Sequence, residues 1–218
     1  MDSLQPMGDQ AALASCRDEG AALRLAAAVR RLAPPWLVDV VQAYTTVAVY
    51  FDLDSIGFDG AAEALRGLDS AGEDDTSIGN RHVIPCCYGM QLDLERVAAH
   101  VGRTPEEVVR LHSGAEYTVY AIGFSPGFPY LGYLPDALSG VPRLETPRLR
   151  VEPGSVGLTG RQTGVYPEAR PGGWNIIGRT PLQLVDVSDG YFPLRTGDRV
   201  RFEPISEEDF RRLLGKRL

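Results

Sequence analysis

Residues 123–180 hold 11 of the 24 glycines and 8 of the 16 prolines in about a quarter of the chain, and this constrains the fold more than any other feature. Proline removes a backbone donor and glycine weakens a helix, so a long helix has no place here. What remains is short strands joined by tight turns. Across 116–203 about seven short β-runs recur, among them residues 116–122, 164–166, 174–177, 182–187 and 199–203. Such spacing predicts a small barrel or sandwich. Loops this rich in glycine and proline expose amide groups on rigid turns, so 123–180 reads as a ligand or partner surface.

The first part of the chain has a different texture. Residues 19–32 predict a helix with Leu23, Ala26 and Ala27 on one face, stopped by Pro34 and Pro35. Residues 36–44 and 45–52 read as a hairpin, the second run alternating Val47, Val49 and Phe51 against Thr46, Ala48 and Tyr50. Asp59 caps a short helix through Leu68, and strands at 11–15 and 81–87 complete the order βαββαβ, a ferredoxin-like pattern. The acidic stretch 69–80 reads as a loop or hinge. The expectation is an α+β protein: a ferredoxin-like α/β subdomain over 1–80, then a β-barrel over 81–218 with two short helices at its start.

Those helices span 93–101 and 105–112, the second opened by Thr104, Pro105 and Glu107 as a capping box. Gly102 and Gly114 supply the stops, and Ser206 with Asp209 opens a terminal helix. The pair has helix-turn-helix spacing, yet Glu106 and Glu107 sit where a DNA reader meets phosphate. With a net charge of -7, neither nucleic acid nor an anionic membrane is an expected partner. No window approaches a membrane span of ~18–20 apolar residues, and no leader pattern is visible, so a cytoplasmic protein is expected. Cys16, Cys86 and Cys87 read as buried thiols; zinc on Cys86 and His82 lacks a second ligand pair, so no metal site is expected.

Lys216 is the only lysine, which excludes a Schiff-base or phosphate-loop lysine in the body of the chain. Candidate chemistry therefore rests on other groups. GFSPGFPYLGYLP carries Phe124, Phe128, Tyr130 and Tyr133, which either cover a small core or dock a partner. GSVGLTGRQTGVYP offers Arg161, Gln162, Thr163 and Tyr166 as donors for a carboxylate, amide or phosphate; it matches neither a Walker loop nor a dinucleotide fingerprint. PGGWNIIGRTP adds Asn175 and Arg179. His112 ends its helix, where the macrodipole favours a cationic imidazole. It reads equally as a general acid, an anion-binding group or a plain C-cap.

Taken in order, HSGAEY, GFSPGFPYLGYLP, PGSVGLTGRQTGVYP and PGGWNIIGRTPLQL resemble the KipI family, which includes the B subunit of 5-oxoprolinase and proteins labelled allophanate hydrolase subunit 1. The resemblance covers nearly the whole chain, although PCCYGMQLDL is shorter than the family's glycine-rich loop and keeps only Gly89. It implies a cyclophilin-like barrel, a KipA-like partner (the C subunit of 5-oxoprolinase) and a lactam-utilisation partner (the A subunit). With them, ATP and Mg²⁺ would drive opening of 5-oxoproline to glutamate, ATP lying on this chain or on its partner. Related modules lie in urea amidolyase, and one relative inhibits a sporulation histidine kinase. On this reading His112, Asn175 and Arg179 are catalytic, Arg161, Gln162, Thr163 and Tyr166 bind an amide or lactam substrate, and Phe124, Phe128 and Tyr130 meet the partner. An allophanate hydrolase or urea carboxylase type of component and a kinase-inhibiting module are the alternatives.

Overall fold

Alternating apolar residues in the first sixty positions assemble one antiparallel sheet. The computed structural model describes residues 1–69 and 79–218, which divide into two compact units, Met1–Ile78 and Gly79–Leu218. Most of the stretch read as a loop or hinge, 70–78, lies outside the described residues.

In the first unit β1 (Ser3–Pro6), β2 (Ala11–Ser15), α1 (Glu19–Leu32), β3 (Leu37–Ala43), β4 (Thr46–Phe51) and α2 (Phe58–Asp69) follow in order. The sheet runs β1-β2-β4-β3, so β4 lies between the two strands that α1 connects, the split βαβ of a ferredoxin-like unit. Ala12, Ala14, Val47, Val49 and Phe51 pack with Ala22, Leu25, Ala26 and Val29 of α1 and Leu65 of α2. The buried face of α1 is thus centred on Ala22, Leu25, Ala26 and Val29, while Leu23 and Ala27 are only half-buried. Asp18 caps α1, its Oδ1 accepting from the Ala21 N–H at 2.7 Å. Asp59 lies within the first turn of α2 and is not its cap.

One strand is reassigned. The βαββαβ reading gave the fourth strand to 81–87, but β1 occupies that edge, joined to β2 by a short local turn. A hairpin closes at little entropic cost, whereas a distant strand must close a long loop.

The second unit contains β5 (Arg81–Cys86), α3 (Leu94–Val101), α4 (Pro105–Gly114), β6 (Glu116–Ile122), β7 (Pro129–Gly132), β8 (Arg148–Val151), β9 (Ser155–Thr159), β10 (Gln162–Val165), β11 (Arg170–Gly172), β12 (Asn175–Arg179), β13 (Arg199–Pro204) and α5 (Glu207–Leu213). Seven strands form one sheet in the order β12-β9-β10-β7-β6-β13-β5, with β5 parallel to β13. Just past β5, Cys87 exchanges both backbone hydrogen bonds with Arg179 of β12, at 2.8 and 3.1 Å. The sheet is thereby a nearly closed barrel. β8 and β11 form a separate two-stranded ribbon. The strand expected at 182–187 makes only isolated bridges, Gln183 to Arg217 and Asp186 to Tyr191.

Ile84, Val119, Leu131, Val156, Leu158 and Phe202 line the barrel core, each almost fully buried and each stabilising it by about 1.5–3 kcal/mol. The two helices dock on this barrel through Leu94, Val97, Ala98 and Val108. The Thr104 capping box is complete, with Thr104 Oγ1 accepting from Glu107 N–H and Glu107 Oε2 from Thr104 N–H. His82 Nε2 lies 3.1 Å from Asp198 Oδ2, a hydrogen-bond partner at the foot of β13, in place of the pairing considered with Cys86. Among the described residues no helix is long and apolar enough to cross a membrane.

Candidate functional site

α4 delivers His112 into the barrel interior, where its ring packs at 4.7 Å from Phe202 and 5.4 Å from Tyr117. It is fully buried. Thr163 Oγ1 donates to the Gly157 carbonyl at 3.0 Å, because a carbonyl can only accept. That leaves only lone pairs for His112 Nε2, 2.9 Å away, so Nε2 carries the imidazole proton. Nδ1 must then accept from the Tyr88 hydroxyl at 2.7 Å. The result is a one-directional relay, Tyr88 to His112 to Thr163 to Gly157, with each group satisfied. Burial pushes the imidazole down to about 3, from 6.5, and pushes the Tyr88 hydroxyl well above its ordinary range. The cationic imidazole expected from the helix end is therefore overturned: desolvation outweighs the macrodipole. Tyr88, which sequence reasoning did not single out, has no local signal beyond following a cysteine pair.

Asn175 is equally committed. Its Oδ1 accepts from Arg96 Nη1 at 2.7 Å, and its Nδ2 donates to the carbonyls of Pro142 and Leu158. Fully buried, it pins β12 to β9 and to the 142 turn and presents no free amide to a substrate. Asp93, taken from the sequence only as the start of a helix, is a buried anchor. Its Oδ2 accepts the Ile176 N–H and its Oδ1 accepts Arg148 Nη2, both at 2.7 Å.

The aromatic residues cluster on one side of the barrel. Phe128 is buried and stands edge-on to Phe124, Tyr130, Tyr166 and Trp174, with centroids 5.0–5.4 Å away. It belongs to a satellite core with Val151 and Ile176, which removes it from the partner-facing set. Phe124 is the outlier: 60% exposed and at φ 67, a left-handed conformation that a bulky side chain rarely adopts. Gly127 at φ 70 lets the loop press on Val185, since a Cβ there would come 2.2 Å from Val185 Cγ2. The loop thus holds an aromatic ring toward solvent in a backbone conformation that costs energy. Tyr130 is half-buried beside it.

Of the proposed donors, Thr163 and Tyr166 are buried, while Gln162 is half-buried at the start of β10. Arg161 is exposed, its guanidinium 4.3 Å over the Tyr133 ring. Arg179 Nε donates to the Pro153 carbonyl at 2.9 Å. The ten predicted residues thus separate into an interior relay (His112 and Thr163), a β12 anchor (Asn175), an aromatic face, an exposed Arg161, and the half-buried Gln162 and Arg179. A separate apolar cavity of about 450 Å³ lies among Leu94, Pro105, Val109 and Pro204. Glu106, Arg110 and Ser113 also line it, and none of those ten residues does.

Comparison with known proteins places this arrangement. Residues 3–192 match the family model for the carboxyltransferase domain, subdomains C and D. The chain is 39% identical over 191 residues to the B subunit of 5-oxoprolinase from Bacillus subtilis, covering 81% of this chain and 79% of the relative. It is 54% identical over 127 residues to the B subunit of 5-oxoprolinase from Escherichia coli O157:H7, covering 57% and 58%. The crystal structure of Kluyveromyces lactis urea carboxylase superimposes with a TM-score of 0.73 over 97% of this chain, at 18% identity. That likeness shows the fold, a cyclophilin-like barrel and an α+β unit, and the chain spans only 22% of that enzyme's length. Motif order, barrel topology and the family model agree: the chain belongs to the carboxyltransferase domain family, subdomains C and D.

Proposed function

We propose that this chain is the B-type subunit of an ATP-dependent lactam hydrolase that opens 5-oxoproline to glutamate. It acts with a KipA-like C-type subunit and a lactam-utilisation A-type subunit. The observation that carries the reading is the match to two relatives named as the B subunit of 5-oxoprolinase. The geometry supports a non-autonomous role, because His112, Thr163 and Asn175 are sealed and fully hydrogen-bonded. They act as positioning residues that hold β9, β10 and β12. Reactive contacts fall outside that interior: Phe124 and Tyr130 meet the partner, while the exposed Arg161, at the β9–β10 turn, faces negative charge developing on the lactam oxygen as it is phosphorylated, and the half-buried Arg179, at the other end of β9, is the second available cation. Gln162 lies beside Arg161. ATP and its Mg²⁺ lie on this chain or on a partner subunit; with no lysine in the body of the chain, a site here would not be of the Walker type.

The test is 5-oxoproline-dependent ATP hydrolysis by the three purified subunits in the cytoplasmic pH range, with and without this chain. Omission is expected to abolish turnover. Undiminished turnover by the other two alone would sink the proposal. Turnover of allophanate in place of 5-oxoproline would move the chain to the urea carboxylase type. Tight binding to a kinase dimerisation domain with no turnover would make it an inhibitory module.

A further inference from the structure

The 142–148 segment crosses over the Gly172–Gly173 turn, where the Leu144 N–H donates to the Gly173 carbonyl at 2.8 Å and Arg148 pairs in register with Gly172. Gly172 abuts Tyr166 so closely that a Cβ would come 2.4 Å from the hydroxyl oxygen. One small region therefore gathers Tyr166, Arg148 and the neighbouring Arg143.

Their hydrogen-bonding is lopsided. Arg148 uses Nη2 on Asp93, but its Nη1 is buried with no protein acceptor. Asp93 does not supply one: its Oδ1 takes Arg148 Nη2 and its Oδ2 takes the Ile176 N–H, and neither bonds to Nη1. Arg143 is exposed and forms no ion pair among the described residues. Tyr166 accepts from the Trp174 backbone, so its hydroxyl proton remains available. Burial raises the Tyr166 hydroxyl, and the charges of Arg143 and Arg148 oppose that rise. A buried donor without an acceptor is costly, and two guanidiniums beside a hydroxyl form a donor-only surface. The wall behind them is apolar, made by Tyr166, Trp174 and Phe128.

We infer that Arg148, Arg143 and Tyr166 form an oxyanion site that takes the carboxylate of a small cyclic acid or a phosphate group. The apolar wall favours the carboxylate, whose ring would lie against Trp174. Only the identity of that acid rests on the lactam hydrolase reading; the site itself does not.

Trp174 reports on it directly, since Trp36 is the only other tryptophan and Trp36→Phe removes it. In the full-length chain, alone and in the three-subunit assembly, 5-oxoproline is expected to change Trp174 emission saturably. 2-Pyrrolidinone, the same ring without a carboxylate, should leave it unchanged. Arg143→Gln should weaken binding about tenfold, as should Arg148→Lys, which keeps a charge for Asp93 while removing Nη1. Arg143→Gln lies at the surface and keeps the test valid if Arg148→Lys unfolds. Inorganic phosphate binding that is lost in the same variants, without 5-oxoproline binding, assigns the site to phosphate and upholds it. No response to either anion, equal binding of 2-pyrrolidinone, or variants that bind like the parent overturns the site. Three-subunit turnover that survives both variants leaves the lactam hydrolase reading standing while this site falls. Anion binding lost in the variants, with no lactam turnover, does the reverse.

Discussion

Lowering the pH should unlock the barrel through His112 before most of its core is otherwise challenged. The folded imidazole is neutral, held at about 3 by burial, against 6.5 in a solvated chain. Between these values the unfolded chain binds a proton that the folded one excludes. Stability is therefore fully present above about pH 6.5 and falls as pH drops, by roughly 1.4 kcal/mol per unit. At about pH 4.5, two units below the unfolded value, His112 alone contributes a loss of about 3 kcal/mol, near a hundredfold in the unfolding equilibrium. Carboxylates also titrate there, so a control must subtract them. His112→Gln keeps an acceptor for Tyr88 and a donor for Thr163 without a titrating ring. Urea unfolding monitored by Trp174 emission in a Trp36→Phe background, from pH 7.5 to 4.5, should show the protein with His112 losing about 3 kcal/mol more than the one with His112→Gln. Parallel losses in the two proteins would refute the argument, as would an imidazole ¹⁵N titration with a midpoint above about 5.

Other perturbations test different parts of the structure. Thr163→Val strips the acceptor from His112 Nε2–H and the donor from Gly157, and should cost about 2–4 kcal/mol in urea unfolding while barely changing volume. Gly172→Ala forces a methyl onto the Tyr166 hydroxyl and should lower stability by about 1–3 kcal/mol, with partial recovery in the Tyr166→Phe background measured by thermal melting. Phe124→Gly relieves the left-handed conformation and should stabilise the isolated chain by about 1 kcal/mol, yet weaken its co-purification with the C-type subunit.

Where structure is decided by neighbours in sequence, it is readable in advance. The Thr104–Glu107 box and the Ser206–Asp209 start are local affairs, and each forms, whereas Asp59, read as a cap, falls inside the first turn of its helix. Glycine and proline density in 123–180 likewise announced short strands and turns. Long-range pairing did not show itself. The 81–87 strand has good local character for either unit, and only its match to Arg199–Pro204 decides between them. For His112, a helix end argued for charge, while Tyr117 and Phe202, which remove the water, reveal themselves only once folded. Arg148 was passed over because its partner Asp93 stands 55 residues upstream, and nothing local distinguishes it from the exposed Arg150. Phe124 and Phe128 are four residues apart in one motif, yet one ring is exposed and the other buried, a division set by turn geometry alone.

The parallel pairing of β5 with β13 has a consequence for how the chain is made. Asn80, at the head of β5, is tied to Asp198, which leaves the ribosome 118 residues later. At about 5–20 residues per second that is a wait of roughly 6–24 s. Throughout it β5 has an open ladder edge, and Cys87 must likewise await Arg179. The helices α3 and α4 are translated within that interval and carry the first apolar surfaces able to shelter it. A nascent chain stalled before residue 199 would therefore expose a β-edge that the finished protein never shows, and would be the species that chaperones see.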